Sequence, residues 1–236
     1  MFSFNKAIID ATKDLCVSYK INTAFYESQG WKGWQTMART VDYIGKEHFL
    51  IADAKRGDIG NTSTQYAKAF FEQLPFDSIT VAPYMGHDSV KPFLAYPGKW
   101  AIVLGLTSNP GAADFELQSI GGDHGSGTVS EKLYERVLRT VSSWGTTDNL
   151  MFVVGATQSD EFLHIRTIIP DHFLLVPGVG AQGGSLEEIS LKAMNNDAGI
   201  LVNVSRGIIY AGEGKDFDKT ARKAALEYQQ EMERYL

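Results

Sequence analysis

Residues 53–62, DAKRGDIGNT, hold the densest grouping of chemically capable side chains in the chain. Asp53, Lys55 and Asp58 set two carboxylates around one ammonium, directly after the apolar run FLIA. Helical salt-bridge pairing does not explain the interval of two between Asp53 and Lys55, whereas alternate residues of a strand point the same way and stand side by side. An ammonium held between carboxylates stays protonated and presents a fixed positive charge to whatever binds beside it. The plainer account is a surface cluster of ion pairs, against which stands the position of the three charges at the end of an apolar run.

A second candidate is GVGAQG at 178–183, which spells G-x-G-x-x-G after the run FLLV. A dinucleotide fingerprint belongs to a first βα unit, and only about one strand follows here. A phosphate-gripping loop late in a barrel fits better, with ordinary tight turns as the alternative for the glycines alone. His48, His87, His124, His164 and His172 are scattered without metal-ligand spacing, so no metal site is expected, and only His87 lies in a strand-end loop.

These groups need a scaffold that brings strand ends together. Seven β-branched or apolar runs recur, at 15–20, 48–55, 78–83, 100–107, 151–157, 173–178 and 199–205. Being apolar at nearly every position, they read as parallel strands buried on both faces. Helical patterns separate them: 131–144 place Leu133, Val137, Leu138 and Val141 on one stripe, and 216–236 place Ala221, Ala224, Ala225, Tyr228, Met232 and Tyr235 on another. The order helix, strand, helix, strand predicts an α/β TIM-type (β/α)8 barrel forming one domain over 1–236, with a doubly wound open sheet as runner-up. The barrel needs eight strands and seven are found, with a helix, MFSFNKAIIDATKD, at the start. Either the first strand lies upstream of Met1, or the barrel is open between its first and last strands.

Composition narrows the function classes. The net charge of −6 disfavours non-specific binding to nucleic acid and to anionic membrane. Cys16 is the only cysteine, which excludes an intrachain disulfide and suits a reducing cytoplasm. No apolar run approaches a membrane span, and the amino-terminal segment lacks the features of a signal peptide. The 44% hydrophobic and 21% charged residues are ordinary globular values.

The pattern Asp53, Lys55, Asp58, Ile59 and Thr62 resembles the D-x-K-x-x-D-I-x-x-T signature of the orotidine 5′-phosphate decarboxylases. Further matches run along the chain: YKINTAFYES (19–28), VAPYMGHDSVKPF (81–93), LTSNPGAADF (106–115), VVGAT (153–157), VPGVGAQGG (176–184) and LVNVSRGI (201–208). They are similar to the longer bacterial and protozoal branch of that family. The resemblance implies a cofactor-free, metal-free decarboxylation of orotidine 5′-monophosphate to uridine 5′-monophosphate. In it Lys20, Asp53, Lys55 and Asp58 are catalytic and Lys55 is the proton donor. It also implies a homodimer in which Asp58 and Thr62 cross into the partner's site.

By the same resemblance Ile59 lines the pocket near the departing carboxylate and Asn22 is a pocket position. Thr107 and Ser108 hydrogen-bond the pyrimidine, and Pro177 and Asn203 border the pocket. Gln182 and Arg206 take the phosphate, with backbone NH groups near Ser205, Arg206 and Gly207. Two departures stand out. Relatives carry Lys-Pro-Asn where this chain has Lys20-Ile21-Asn22, and their Gly-Leu-Asp-Pro segment, whose aspartate contacts the ribose, has no counterpart here. Truncation by a helix and a strand is the expectation, with weaker folding or nucleotide binding. Residues 110–127, long and glycine-rich, read either as a mobile lid or as a surface insertion. The alternatives are a magnesium-dependent sugar-phosphate decarboxylase or aldolase sharing Asp-x-Lys-x-x-Asp, and a non-catalytic nucleotide-phosphate binder.

Overall fold

A computed structural model describes residues 1–121, 130–180 and 183–236. The seven apolar runs form seven strands: β1 (Ser18–Asn22), β2 (Phe49–Arg56), β3 (Ser78–Val81), β4 (Trp100–Leu106), β5 (Leu150–Val154), β6 (Leu174–Pro177) and β7 (Ile200–Asn203). They pair in chain order as one wholly parallel sheet, with β1 and β7 at its two edges. The architecture is a nearly closed (β/α) barrel of TIM type with seven of the eight strands.

Inward and outward positions alternate along every strand, as the two-residue period of a pleated strand requires. Ile51, Ile102, Met151, Val153 and Leu175 pack together as one layer. Leu50, Ala52, Ile79, Val81, Ala101, Val103, Phe152, Val154, Leu174 and Val176 join the other layer, shared with the helices. Both faces are therefore buried, which is why the strands read as continuous apolar runs.

The helices are α1 (Phe2–Thr12), α2 (Gly30–Ile44), α3 (Gly60–Lys68), α4 (His87–Leu94), α5 (Leu133–Ser142), α6 (Phe162–Ile168), α7 (Leu186–Ala193) and α8 (Phe217–Glu233). The amphipathic first helix packs on both α8 and α2, so helices continue around the side where the sheet is open. Phe4 stacks on Phe217 at 5.1 Å, and Arg222 grips Asp14 through bonds of 2.6 and 2.7 Å. In α5 Leu138 and Val141 are buried and Val137 packs against the core as expected, while Tyr134 rather than Leu133 fills the first buried position. Just before the helix begins, Glu131 and Lys132 pair with Ser119 and Ile120 as a small antiparallel ladder.

That ladder ties down the described ends of the 110–127 segment, which opens with a 3-10 turn at Pro110–Asp114. Residues 122–129, on which the lid or insertion reading partly rested, lie outside the described residues, as does His124. No described helix is long and apolar enough to cross a membrane.

Candidate active site

Strand direction decides what shares one end of the barrel, since parallel strands present all their carboxyl ends together. Lys20, Asp53, Thr80, Leu104, Val153, Leu175 and Asn203, from all seven strands, line one cavity of about 430 Å³. Such a volume is ample for a small ligand. Pro177 at the end of β6, with Thr107, Ser108, Ser205 and Arg206 from the segments that follow β4 and β7, adds to the wall.

At the heart of the cavity is a trio. The Lys20 Nζ donates to Asp53 Oδ2 at 2.8 Å, and the Lys55 Nζ donates to Asp53 Oδ1 at 2.6 Å. The Asp53 and Lys20 side chains are only 9% and 11% exposed, whereas Lys55 is 51% exposed and reaches into open space. Burial by itself would raise the Asp53 pKa and is the largest single influence on it. The charge of Lys20 and hydrogen bonds from Lys20 and Lys55 together outweigh burial and hold the carboxyl below its ordinary value.

Asp53 and Lys55 are neighbours for a reason other than the regular strand alternation expected from the sequence. Between β2 and β3 the pairing steps from Ala52 opposite Ile79 to Arg56 opposite Val81, so Asp53, Ala54 and Lys55 bulge out against Thr80. Lys55 closes that bulge in the left-handed region, at φ 47°. A non-glycine residue pays ~1–2 kcal/mol for this conformation, a strain typical of functional sites.

Thr80 was not anticipated. Its hydroxyl donates to Asp53 Oδ1 at 3.1 Å and accepts the Lys55 backbone NH at 2.9 Å. The signal was present, since Ser78 and Thr80 are polar at alternate positions of a buried strand. Glu116 was also missed. It accepts the Thr107 backbone NH at 2.7 Å, and the single proton of the Thr107 hydroxyl lies between Glu116 Oε1 at 2.9 Å and Asn109 Oδ1 at 2.7 Å, which leaves that oxygen to act towards a ligand as an acceptor. Nothing in the sequence marks Glu116, because its partner is nine residues away across a turn.

Ser108 sits against Gly155, where an added Cβ would lie 2.5 Å from the Ser108 nitrogen. Only glycine there lets the β4 loop press onto the β5 end. In the GVGAQG segment Gly178 and Val179 line the cavity, and Gly180 N bonds Gly184 O at 3.1 Å. Gln182 lies outside the described residues. Ser205 and Arg206 begin a single helical turn, Arg206–Ile209. The exposed Arg206 guanidinium has no ion-pair partner among the described residues.

Four expected site residues do not line the cavity of their own chain. The Asn22 side chain accepts the Ala24 NH at 3.2 Å, and Asp58 accepts the Ile59 NH at 2.8 Å. Ile59 is 54% exposed, and Thr62 is exposed in the first turn of α3. Asp58 is half-buried and Ile59 and Thr62 are exposed, and none of the three lines the cavity that holds the trio. His87 packs edge-on against Trp144 at 5.2 Å, away from the cavity. Among the described residues no cluster of three His, Cys, Asp or Glu side chains is arranged to hold a metal.

Known proteins share both the sequence and the barrel of this chain. A profile described as "Orotidine 5′-phosphate decarboxylase / HUMPS family" matches residues 3–221. A Flavobacterium johnsoniae protein named orotidine 5′-phosphate decarboxylase is 57% identical over 235 residues, covering 98% of this chain and 83% of that one. A Bacteroides fragilis protein of the same name is 55% identical with the same coverage. The solved Leishmania donovani OMP decarboxylase superposes with a TM-score of 0.88 at 33% identity, covering 99% of this chain and 87% of that one. With its motifs, its barrel and its strand-end cavity in agreement, the chain belongs to the orotidine 5′-phosphate decarboxylase / HUMPS family.

Proposed function

We propose that this chain decarboxylates orotidine 5′-monophosphate to uridine 5′-monophosphate, the last step of de novo pyrimidine nucleotide synthesis, using the Lys20–Asp53–Lys55 trio. The observation that carries this reading is the half-exposed Lys55 ammonium held 2.6 Å from a buried carboxylate inside the cavity. Breaking the bond between C6 and the carboxylate leaves the electron pair on C6 as carbon dioxide departs. No neighbouring group delocalises that pair, so fixed positive charge must steady it. Lys55 supplies the charge and then the proton, and Lys20 holds Asp53 in place beside it.

Charge counting decides between two sources of acceleration. A substrate carboxylate ~4 Å from Asp53 alone would be repelled by about 4 kcal/mol at an effective dielectric of ~20. The trio, however, carries two ammoniums for one carboxylate, a net charge of +1. Within one chain the carboxylate is therefore drawn in more than it is repelled, and with a second acidic group supplied across a dimer the two effects balance, so repulsion is not the whole effect and the preorganised lysine is the main term.

Thr107 and Ser108 contact the pyrimidine, Pro177 and Asn203 border it, and Gln182, Ser205 and Arg206 hold the phosphate. The remote phosphate contributes binding energy that orients the reacting ring. The functional unit is a homodimer. Phe25, Trp31, Ile59, Tyr84 and Met85 are large apolar side chains exposed in the segments after β1, β2 and β3, on the same end as the cavity. Covering such a patch with a second copy would carry Asp58 and Thr62 to the neighbouring site and bring the charge count there to zero. We place the protein in the cytoplasm, where its single Cys16 needs no disulfide partner.

The test follows the absorbance of orotidine 5′-monophosphate. Turnover should persist in chelator, vanish in Lys55→Ala without loss of uridine monophosphate binding, and return to about half in purified mixed dimers of Lys55→Ala with Asp58→Ala, or about a quarter in an equimolar mixture where half of the dimers are mixed. Chelator-sensitive activity would favour a magnesium-dependent reaction, and binding without turnover would favour a nucleotide binder. Mixed dimers as dead as their parents would sink the shared site.

A further inference from the structure

We propose that Thr80 is a positioning residue: its hydroxyl clamps the Asp53 carboxylate and the strained Lys55 backbone in one geometry. The inference deepens the reading above and rests on it for its kinetic consequence, though not for its structural one.

Three residues bulge out between Ala52 and Arg56, opposite Thr80. A bulge takes backbone groups out of the ladder, and the Lys55 NH is one of them. A buried donor needs a partner, and here the partner is a side chain, the Thr80 Oγ1 at 2.9 Å. The single proton of the same hydroxyl goes to Asp53 Oδ1 at 3.1 Å, the oxygen that also receives the Lys55 ammonium at 2.6 Å. Thr80 is 1% exposed, so water does not compete for either bond.

One hydroxyl therefore bridges the backbone of Lys55 and the carboxylate that Lys55 pairs with. At φ 47° the Lys55 backbone is held against its own preference, and the bond from its NH is what opposes relaxation to an ordinary strand conformation. Relaxation would turn the Lys55 side chain out of register with Asp53. Misplacement of a catalytic group by ~1 Å can cost on the order of 100-fold in rate. Bond capacity singles out the residue type. A threonine hydroxyl donates once and accepts twice, whereas a valine of the same shape does neither.

The experiment compares Thr80→Val with Thr80→Ser. Thr80→Val should lower kcat at least about tenfold, with KM and the uridine monophosphate Kd unchanged within about threefold, since the phosphate grip lies on β6 and β7. Thr80→Ser, which keeps the hydroxyl, should recover most of the rate. Independently of activity, the Lys55 amide should exchange its hydrogen at least about ten times faster in Thr80→Val than in the unaltered chain or in Thr80→Ser. Thr80→Ala is read in the same way should Thr80→Val fail to fold.

Unchanged kcat and exchange in Thr80→Val would overturn the proposal. So would Thr80→Ser as impaired as Thr80→Val, because packing rather than the hydroxyl would then be the cause. An unaltered chain without turnover would instead sink the assigned activity, and the exchange rates alone would then decide for or against Thr80.

Discussion

Replacing Asp53 by Asn keeps the size of the side chain and removes the only negative charge between two ammoniums. Both Lys20 and Lys55 bond the same carboxylate, at 2.8 and 2.6 Å, so their nitrogens lie roughly 5 Å apart. At an effective dielectric of ~20 their repulsion is about 3 kcal/mol, an upper figure because half-exposed Lys55 is screened by water. With the carboxylate present that repulsion is more than offset; without it, the flexible and more exposed Lys55 is the group that moves. Loss of its placement should lower kcat by about two to three decades.

Binding should move the other way. The site gains a unit of positive charge facing the substrate carboxylate, so KM for orotidine 5′-monophosphate should stay level or fall. The affinity for uridine monophosphate, which lacks that carboxylate, should change less. Steady-state kinetics with Asp53→Asn and product titration read both quantities, and a raised KM at unchanged kcat would refute the argument. The pH dependence of stability has a definite sign. The Asp53 pKa is held below its unfolded value, so its contribution is complete above about pH 4 and is lost as pH falls through the folded value. The gap in stability between the unaltered chain and Asp53→Asn should therefore be present at pH 7 and close in acid.

Two further outcomes follow from the geometry. Arg206→Ala should weaken uridine monophosphate binding by about 10- to 100-fold, the worth of charge-assisted hydrogen bonds, while leaving uridine affinity unchanged; equal losses for both would remove Arg206 from the phosphate. Arg166→Met should destabilise by roughly 2–4 kcal/mol without altering kcat at 25 °C. The Arg166 guanidinium donates to the carbonyls of Ala193, Ile169, Pro170, His172 and Gly199 before β6 and β7, and burial pulls its pKa down to about 10. An unchanged Tm would show those carbonyls to be satisfied without it.

Pattern alone carried the scaffold a long way. Seven runs apolar at nearly every position were enough for seven parallel strands, because strands buried on both faces leave that mark wherever they sit. The charges of Asp53, Lys55 and Lys20 were legible for a related reason, since a buried charge next to an apolar run needs a partner and the strand ends are where partners converge. Hydrophobic periodicity placed α1 and α8 and three of the four residues expected on the α5 stripe, with Tyr134 rather than Leu133 buried at its start, whereas the pairing of Glu131 and Lys132 with Ser119 and Ile120 leaves no local mark.

What tertiary structure alone decided is how the reactive groups are held. No local pattern tells that β2 bulges at Asp53–Lys55, that Lys55 takes φ 47°, or that Thr80 and Glu116 fix Asp53 and Thr107. Each of these depends on a group brought from another element, and hydrogen bonds across a barrel follow from packing rather than from spacing along the chain. The sequence by itself determined which residues had charge to offer and which end of the sheet would gather them. The fold determined their distances and the strain at Lys55, because these emerge only once β2 and β3 are paired out of register.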